Sequence, residues 1–170
     1  MIAVRVAKIV LVAGAALHAS LVAFGNITDY ATNFTFVQHV MSMDTIFPSS
    51  KIAYRAITSP ALHHLAYGMI IAGEALTAVL CWIGAWRLLG CFRASANSFN
   101  GAKAFAVAGL LAGLLVWQIG FMTIAGEWFG MWMSQQWNGI PSAFRLVAIF
   151  LGILTFVALP DGELERPSGN

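Results

Sequence analysis

The chain has 170 residues, of which 59% are hydrophobic and 9% are charged, and its formal net charge is +2. Soluble domains carry about 25% charged residues, so this composition excludes a water-exposed globule and predicts that lipid surrounds much of the chain. The low net charge without a basic block argues against nucleic acid as a partner. The sequence has no phosphate loop, nucleophile elbow or HExxH motif, so we expect no catalytic residues and no enzymatic activity.

Four apolar segments are long enough to cross a bilayer, which takes about 20 mostly apolar residues. In chain order they are about 6–25, 61–89, 103–125 and 141–159. None has the continuous polar face of a soluble bundle helix, and Gly109 and Gly113 on the third span form a GxxxG motif that permits close helix approach. The sequence therefore predicts one all-α membrane domain over residues 1–170, a four-helix transmembrane bundle with both termini on the same side.

The distribution of basic residues predicts the orientation of the bundle in the membrane. Basic residues gather at the N-terminus and around the second loop, and these are Arg5, Lys8, Arg87, Arg93 and Lys103. The second loop carries no acidic residue, so we expect these regions to face the cytoplasm. Both termini, including the tail 161–170, are then expected to be cytoplasmic, and the first and third loops extracytoplasmic.

The first extracytoplasmic loop, about 26–60, is long for a connection without structure of its own. Within it, Phe34, Val37 and Met41 recur at helical spacing, which is typical of a short amphipathic helix lying in the membrane interface. Asp44 and Pro48 follow and are expected to end that helix. We therefore predict a folded cap over the outer mouth of the bundle.

Polar residues within the spans are candidates for a functional site, because they are costly in lipid. Glu74 lies near the centre of the second span, and helical spacing places Tyr67 and Thr77 on its face. Gln118 lies at a similar depth on the third span, and His18 faces inward from the first. Three interpretations stay open: a protonated Glu74 bonded to a neighbouring helix, with Gln118 as the candidate partner; a proton or ion path; and a quinone or lipid-headgroup site.

The four histidines raise the question of haem or metal binding. His18 and His64 lie on antiparallel spans, but their depths differ by about one helical turn, which fits a pair of axial haem ligands poorly. His39 and the His63–His64 pair are weak metal candidates together with Asp44, since no HxxxH spacing is present. We expect no bound cofactor or metal, with haem or quinone as lesser alternatives.

The third loop contains the stretch GEWFGMWMSQQWNG, residues 126–139. Trp128 and Trp132 are four residues apart, so they are predicted to share a helical face with Met131 beside them, and Trp137 follows. Tryptophan favours the membrane–water interface, where its ring is partly wet. The simpler interpretation is an aromatic lipid anchor, and the alternatives are a docking surface for another membrane subunit and a cage for a ligand.

Charged residues on the predicted outer side suggest an ion pair. Arg145 lies one turn inside the fourth span, where its side chain can reach outward or pair with an acid. Three acids are expected on the same side of the membrane, and these are Glu127, Asp29 and Asp44. We expect structural pairing of Arg145 with one of them rather than substrate binding.

Three motifs together resemble a family of predicted small integral membrane proteins of bacteria. They are NITDYATNFTFVQHVMSMDTIFP in the first loop, GE in the second span, and GEWFGMWMSQQWNG followed by AFR. The resemblance covers nearly the whole chain and implies four spans in a bacterial inner membrane. It implies no activity and no catalytic residue.

The leading functional hypothesis is therefore an accessory or structural subunit of a larger inner-membrane complex, docked through the outer aromatic surface. Its partners would be the lipid bilayer and other membrane subunits. The principal alternative is a small transporter or proton-conducting protein centred on Glu74. A membrane anchor that binds haem or quinone is a weaker one.

Overall fold

The fold was analysed in a computed structural model that describes residues 2–164, and all regular structure in that range is helical. The α-helices are α1 (Ile2–Thr28), α2 (Tyr30–Ser42), α3 (Pro60–Gly90), α4 (Ala96–Gly101), α5 (Ala104–Leu114) and α6 (Ile140–Ala158). A π-helical segment, Leu115–Trp128, continues α5, and short 3-10 turns cover Ala53–Arg55 and Met131–Met133. The predicted all-α fold is confirmed.

Within residues 2–164, four helical stretches are long and apolar enough to cross a membrane, which confirms the predicted spans. They are Ile2–Thr28, Pro60–Gly90, Ala96–Trp128 and Ile140–Ala158. Prolines open two of them, since Pro60 and Pro141 lie in the first turns of α3 and α6, where a missing N–H leaves no hydrogen bond unmade. The spans extend beyond the predicted apolar cores at both ends of α1 and of the third span, because helices continue past the hydrophobic run.

The chain ends of the described range lie at the same end of the bundle. Arg5 near the start of α1 donates to the carbonyl oxygens of Ala94 and Gly162, at 2.6 and 2.8 Å. We call this the basic end, formed by the start of α1, the α3–α5 connection and residues 159–164. The opposite end is the cap end, formed by α2, residues 43–59 and residues 126–139. The predicted cytoplasmic tail falls partly on residues 165–170, which lie outside the described residues.

Small residues bring α3 and α5 into close contact. A Cβ atom added to Gly109 would lie 2.7 Å from the Cys81 backbone nitrogen, and one added to Gly84 would lie 2.5 Å from the Ala106 nitrogen. Gly113 similarly leaves room for the ring of Phe150 on α6. The GxxxG motif of the third span is therefore used for packing within this bundle, as small residues permit in lipid.

The cap end is built on α2, which confirms the predicted helix in the first loop. It buries Val37, Val40 and Met41 and packs on α3. Met43, in a left-handed conformation with φ of 53°, ends the helix, and the Ile57 N–H donates to the Met41 carbonyl at 2.8 Å. The first loop is therefore folded back on the bundle, while its position in the lipid interface stays a prediction.

Candidate functional site

The carboxyl group of Glu74 is the centre of a polar site inside the bundle. Glu74 is only 1% exposed, and its Oε2 accepts a hydrogen bond from Asn26 Nδ2 at 2.7 Å. Tyr67 donates from its hydroxyl to the Asn26 carbonyl at 3.0 Å. Thr77 is buried on the same stripe and donates to the Gly73 carbonyl within its own helix. Tyr67, Glu74 and Thr77 are all buried in the bundle, and their role as a functional site stays a prediction.

The predicted partner of Glu74 was wrong, because Asn26 and not Gln118 makes the hydrogen bond. Gln118 is half-buried in the π-helical segment, where its carbonyl accepts from Thr123 Oγ1 at 3.0 Å. Two features hid the true partner from the sequence. The first helix extends to Thr28, so Asn26 belongs to the span rather than the loop, and the π-helical turns change which residues of the third span face inward.

His18 and His64 have separate surroundings, and the structure does not bring them into contact. The His18 ring faces inward as predicted and lies beside Trp117 and Phe150, with ring centroids 6.0 and 6.5 Å away. His64 is exposed near the cap end, where its ring stacks on Phe34 at 4.1 Å and its Nδ1 lies 2.8 Å from the Tyr30 hydroxyl. An axial pair formed by these two residues therefore has no geometric support.

The weak metal candidates also lie in different environments. His39 Nδ1 lies 2.7 Å from Asp44 Oδ2, and its ring stacks on Trp137 with centroids 4.5 Å apart. His63 is buried, with its Nε2 at 2.6 Å from the Ile57 carbonyl oxygen. Within residues 2–164, no three histidine, cysteine, aspartate or glutamate side chains converge as a metal site.

Trp128 and Trp132 lie at the surface of the cap end, 52% and 48% exposed. The Arg55 guanidinium lies 4.7 Å over the Trp128 ring, and its Nη1 donates to the Trp128 carbonyl at 3.3 Å. Phe47 packs its ring against Trp132 in an edge-to-face contact at 5.9 Å. Tyr54, the residue before Arg55, is exposed, and its hydroxyl accepts a hydrogen bond from Arg55 Nε. We call these four aromatic residues the aromatic rim.

The helical face predicted for this stretch was wrong. The third span ends at Trp128, and Gly130 then adopts a left-handed conformation with φ of +65°, which favours glycine. Met131 is consequently turned into the core and is only 2% exposed, so it is not part of the surface. Trp137 is half-buried against His39. The first loop, rather than the helix, completes the exposed surface.

The expected outer ion pair of Arg145 was also wrong. Arg145 is exposed and donates to Ser142 Oγ at 3.0 Å, one turn back on its own helix. Asp44 pairs with His39 instead. Glu127 and Asp29 are exposed and form no salt bridge with any residue in the described range. An ion pair with a distant acid would restrict two long side chains, so a hydrogen bond to a nearby hydroxyl costs less side-chain entropy.

The strongest ion pairs lie instead at the basic end, among residues that the sequence had indicated only as orientation signals. Lys8 Nζ and Lys103 Nζ both lie 2.6 Å from Asp161 Oδ2. Both ammonium groups also donate to the Leu159 carbonyl, at 2.6 and 2.7 Å. Arg5 is buried beside them. We call Arg5, Lys8, Lys103 and Asp161 the basic-end cluster.

The acid–base balance of this cluster favours an ionised carboxylate. Burial by itself raises the pKa of Asp161, but the ammonium groups of Lys103 and Lys8 outweigh that effect and hold the pKa below its ordinary value of 3.8. Two ammonium groups contact this carboxylate, and backbone carbonyls supply further acceptors for the lysines and for Arg5. The cluster joins the start of α1 to the segment after α6, so it fixes the closure of the bundle.

The chain is similar to a known protein family. The model of a family described as predicted small integral membrane protein (DUF2165) matches residues 4–160, nearly the whole chain. This match confirms the resemblance indicated by the loop motifs. Neither the curated proteins nor the solved structures contain a match to this chain.

Proposed function

We propose that this chain, which belongs to the DUF2165 family of predicted small integral membrane proteins, acts as an accessory subunit of a larger membrane complex. It docks onto another membrane subunit through the aromatic rim. The observation that carries this proposal is the exposure of Trp128 and Trp132 beside Arg55 at one end of the bundle. Tryptophan, tyrosine and arginine are the residues most enriched among binding hot spots.

The contacts within the aromatic rim favour docking over simple anchoring in lipid. Arg55 lies over the Trp128 ring, and Phe47 supports Trp132, so both indoles are held in defined positions. A lipid anchor gains nothing from such positioning, because the interface accepts many ring orientations. A protein partner does gain, since side chains that are already ordered lose less conformational entropy on binding.

The location proposed for the complex is the bacterial inner membrane, with the basic end in the cytoplasm. Arg87 and Arg93 lie at that end together with the basic-end cluster, and positive residues are retained on the cytoplasmic side of inner membranes. The aromatic rim then faces the extracytoplasmic side, where it lies near the lipid headgroups and can contact a neighbouring subunit.

Affinity purification of the native complex in mild detergent tests the docking proposal. The variant Trp128→Ala/Trp132→Ala is expected to lose its co-purifying subunit, since removal of a hot spot costs about 2 kcal/mol or more, roughly a thirtyfold loss of affinity. Phenylalanine at both positions is expected to retain part of the binding. Trp86→Ala is the matched control, because Trp86 is 78% exposed towards the basic end. If all three variants recover the co-purifying subunit equally, the docking proposal is wrong and the two tryptophans only anchor the chain in lipid.

A second candidate function, proton or ion conduction, rests on Glu74. Its carboxyl group is buried with an amide partner and has no salt bridge within residues 2–164. Acidic groups within spans are often parts of proton or ion pathways. Reconstituted liposomes with an internal pH dye provide the test. Conduction that is present in the wild type and absent in Glu74→Gln supports this candidate, whereas equal proton leak in both variants refutes it.

A further inference from the structure

An apolar groove of about 400 Å³ opens on the side of the bundle between α2, α3 and the π-helical segment. Every residue that lines it is apolar. Met69 and Ile124 lie in its lining and are 63% and 47% exposed, so the groove opens sideways towards the bilayer and not towards water. Its volume falls within the range of about 300–1,000 Å³ typical of ligand sites.

The shape of the groove follows from how the third span meets α3. A Cβ atom added to Gly73 would lie 2.6 Å from Val116 Cγ2, so the two helices touch at that level and close the deep end of the groove. Nearer the cap end, a Cβ atom added to Gly120 would meet nothing within 4 Å. Hydrogen bonds of the π type, such as Phe129 N–H to the Ile124 carbonyl at 3.1 Å, bring residues four and five apart onto the lining face.

A cation lies beside the cap-end mouth of the groove. Ile57 and Phe129 belong to the cap end and line the groove. Arg55 lies two residues before Ile57 and donates to the carbonyl of Trp128, the neighbour of Phe129. Its guanidinium lies against the rings of Tyr54 and Trp128, at 5.6 and 4.7 Å. It forms no salt bridge with any of residues 2–164, so its charge is available to an anion.

We propose that the groove and Arg55 together bind one anionic phospholipid, with an acyl chain in the groove and the phosphate on the guanidinium. The lining accepts a hydrocarbon chain and offers no polar group to a polar ligand. The guanidinium supplies planar donors that match phosphate oxygens. One amphiphile satisfies both features, whereas a purely apolar ligand would leave Arg55 without an anionic partner among the described residues.

The length of the groove agrees with one leaflet of a bilayer. Along the third span the lining runs from Val116, which touches Gly73, to Ala125, and this stretch rises about 14 Å at about 1.5 Å per residue. Half of the hydrocarbon core measures about 15 Å. The acyl chain therefore ends near the level of Gly73, and the headgroup lies at the level of Arg55. This proposal goes beyond subunit docking. A change at Gly120 tests the two proposals separately, because Gly120 lines the groove and is not part of the aromatic rim.

The test is native mass spectrometry of the purified full chain in nanodiscs that contain equal amounts of phosphatidylglycerol and phosphatidylcholine. The wild type is expected to retain one phosphatidylglycerol molecule on release from the nanodisc. Gly120→Leu is expected to lose the bound lipid, because the new side chain fills the groove. Arg55→Gln is expected to keep a bound lipid, but its ratio of bound phosphatidylglycerol to bound phosphatidylcholine is expected to fall about fivefold. This is the effect of one basic group near an anionic surface.

Two control variants match these changes. Gly152→Leu adds the same side chain at an exposed position of α6 where a Cβ atom also meets nothing within 4 Å, and Lys51→Gln removes an exposed cation from the same loop. Both are expected to bind lipid as the wild type does. Circular dichroism melting verifies that each variant is folded, and Gly120→Val replaces Gly120→Leu if the larger side chain prevents folding.

Three outcomes would each overturn the proposal. They are equal retention of the two lipids by the wild type, a bound quinone in place of the lipid, and undiminished lipid binding when the groove is filled.

Discussion

Replacement of Asp161 by asparagine tests how much the basic-end cluster stabilises the fold. The change keeps the shape of the side chain but removes the only carboxylate that contacts Lys8 and Lys103 within the described part of the chain. Two buried ammonium groups are then left with backbone carbonyl and amide acceptors alone. Breaking a buried ion pair from one side typically costs about 3–5 kcal/mol. Because the lysines and Asp161 are nearly inaccessible to solvent, screening does not reduce that cost.

The neutralisation of Lys8 is expected to cost less than that of Asp161. Lys8→Met leaves Asp161 paired with Lys103 and removes repulsion between two adjacent cations. The double variant Lys8→Met/Asp161→Asn is therefore expected to be more stable than the sum of the single changes predicts, since residues in one network are coupled. Equilibrium unfolding in mixed detergent micelles, followed by circular dichroism, measures all three variants.

The pH dependence provides an independent measurement on the same group. The pKa of Asp161 is lower in the folded chain than its ordinary value of 3.8, so the folded state favours the ionised form. Its contribution to stability is then complete above the unfolded pKa and is lost as the pH falls through the folded value. We expect constant stability from this group above about pH 5, a decline below about pH 4, and no such decline from this site in Asp161→Asn.

Glu127→Gln is the control for these experiments, because Glu127 is an exposed acid without a salt bridge in residues 2–164. Its replacement is expected to change the free energy of unfolding by less than about 0.5 kcal/mol, as is usual for surface positions. If Asp161→Asn unfolds within that same margin of the wild type, the cluster is stabilised by its backbone hydrogen bonds and the reasoning from buried charge is wrong.

Three further predictions follow from other parts of the molecule. Gly130→Ala is expected to destabilise the chain by about 1–2 kcal/mol in thermal melts, the cost of a left-handed residue with a side chain, whereas Gly152→Ala at an open helix position is expected to melt no lower than the wild type. Glu74→Leu leaves a buried amide unpaired and is expected to cost about 0.6–2 kcal/mol, with Glu74→Gln close to wild type; equal losses in both would contradict a hydrogen-bonding role. In a background without native cysteines, Ser49→Cys is expected to react with a membrane-impermeant thiol reagent in intact cells and Asn97→Cys is not, and the reverse pattern would invert the orientation.

The sequence predicts the helices well because each depends on a continuous local signal. Hydrophobic runs of sufficient length identified all four spans, and the spacing of Phe34, Val37 and Met41 identified α2. The glycine pair on the third span correctly indicated close packing. These properties depend on neighbours in sequence, and the physical requirement of satisfying every backbone hydrogen bond in lipid leaves helices as the solution for such runs.

The partners of polar groups were poorly predicted, because they depend on distant contacts and on irregular backbone. Lys8 and Asp161 are 153 residues apart, and only the assembled bundle brings them together. The π-helical segment altered the inward face of the third span, and the left-handed Gly130 placed Met131 in the core. One sequence signal could have indicated the hydrogen bond between Asn26 and Glu74. Asn26 follows the buried Ala19 and Ala23 of α1 at helical spacing and so continues the inward face of the first span.

The distribution of charges divides the molecule into a closed end and an available end. At the basic end, Arg5, Lys8 and Lys103 are buried and their donors are occupied by Asp161 and by backbone carbonyls, so this cluster has little capacity left for a ligand. At the cap end, Arg55 and the aromatic rim are held in position by each other. Cation–π contacts occupy the faces of the Arg55 guanidinium, and Nε and Nη1 donate to Tyr54 and Trp128. Within the described residues this leaves the Nη2 donors for an anion. A subunit or a lipid phosphate recognised at the cap end therefore meets prearranged groups, and recognition there does not require opening the contacts that close the bundle.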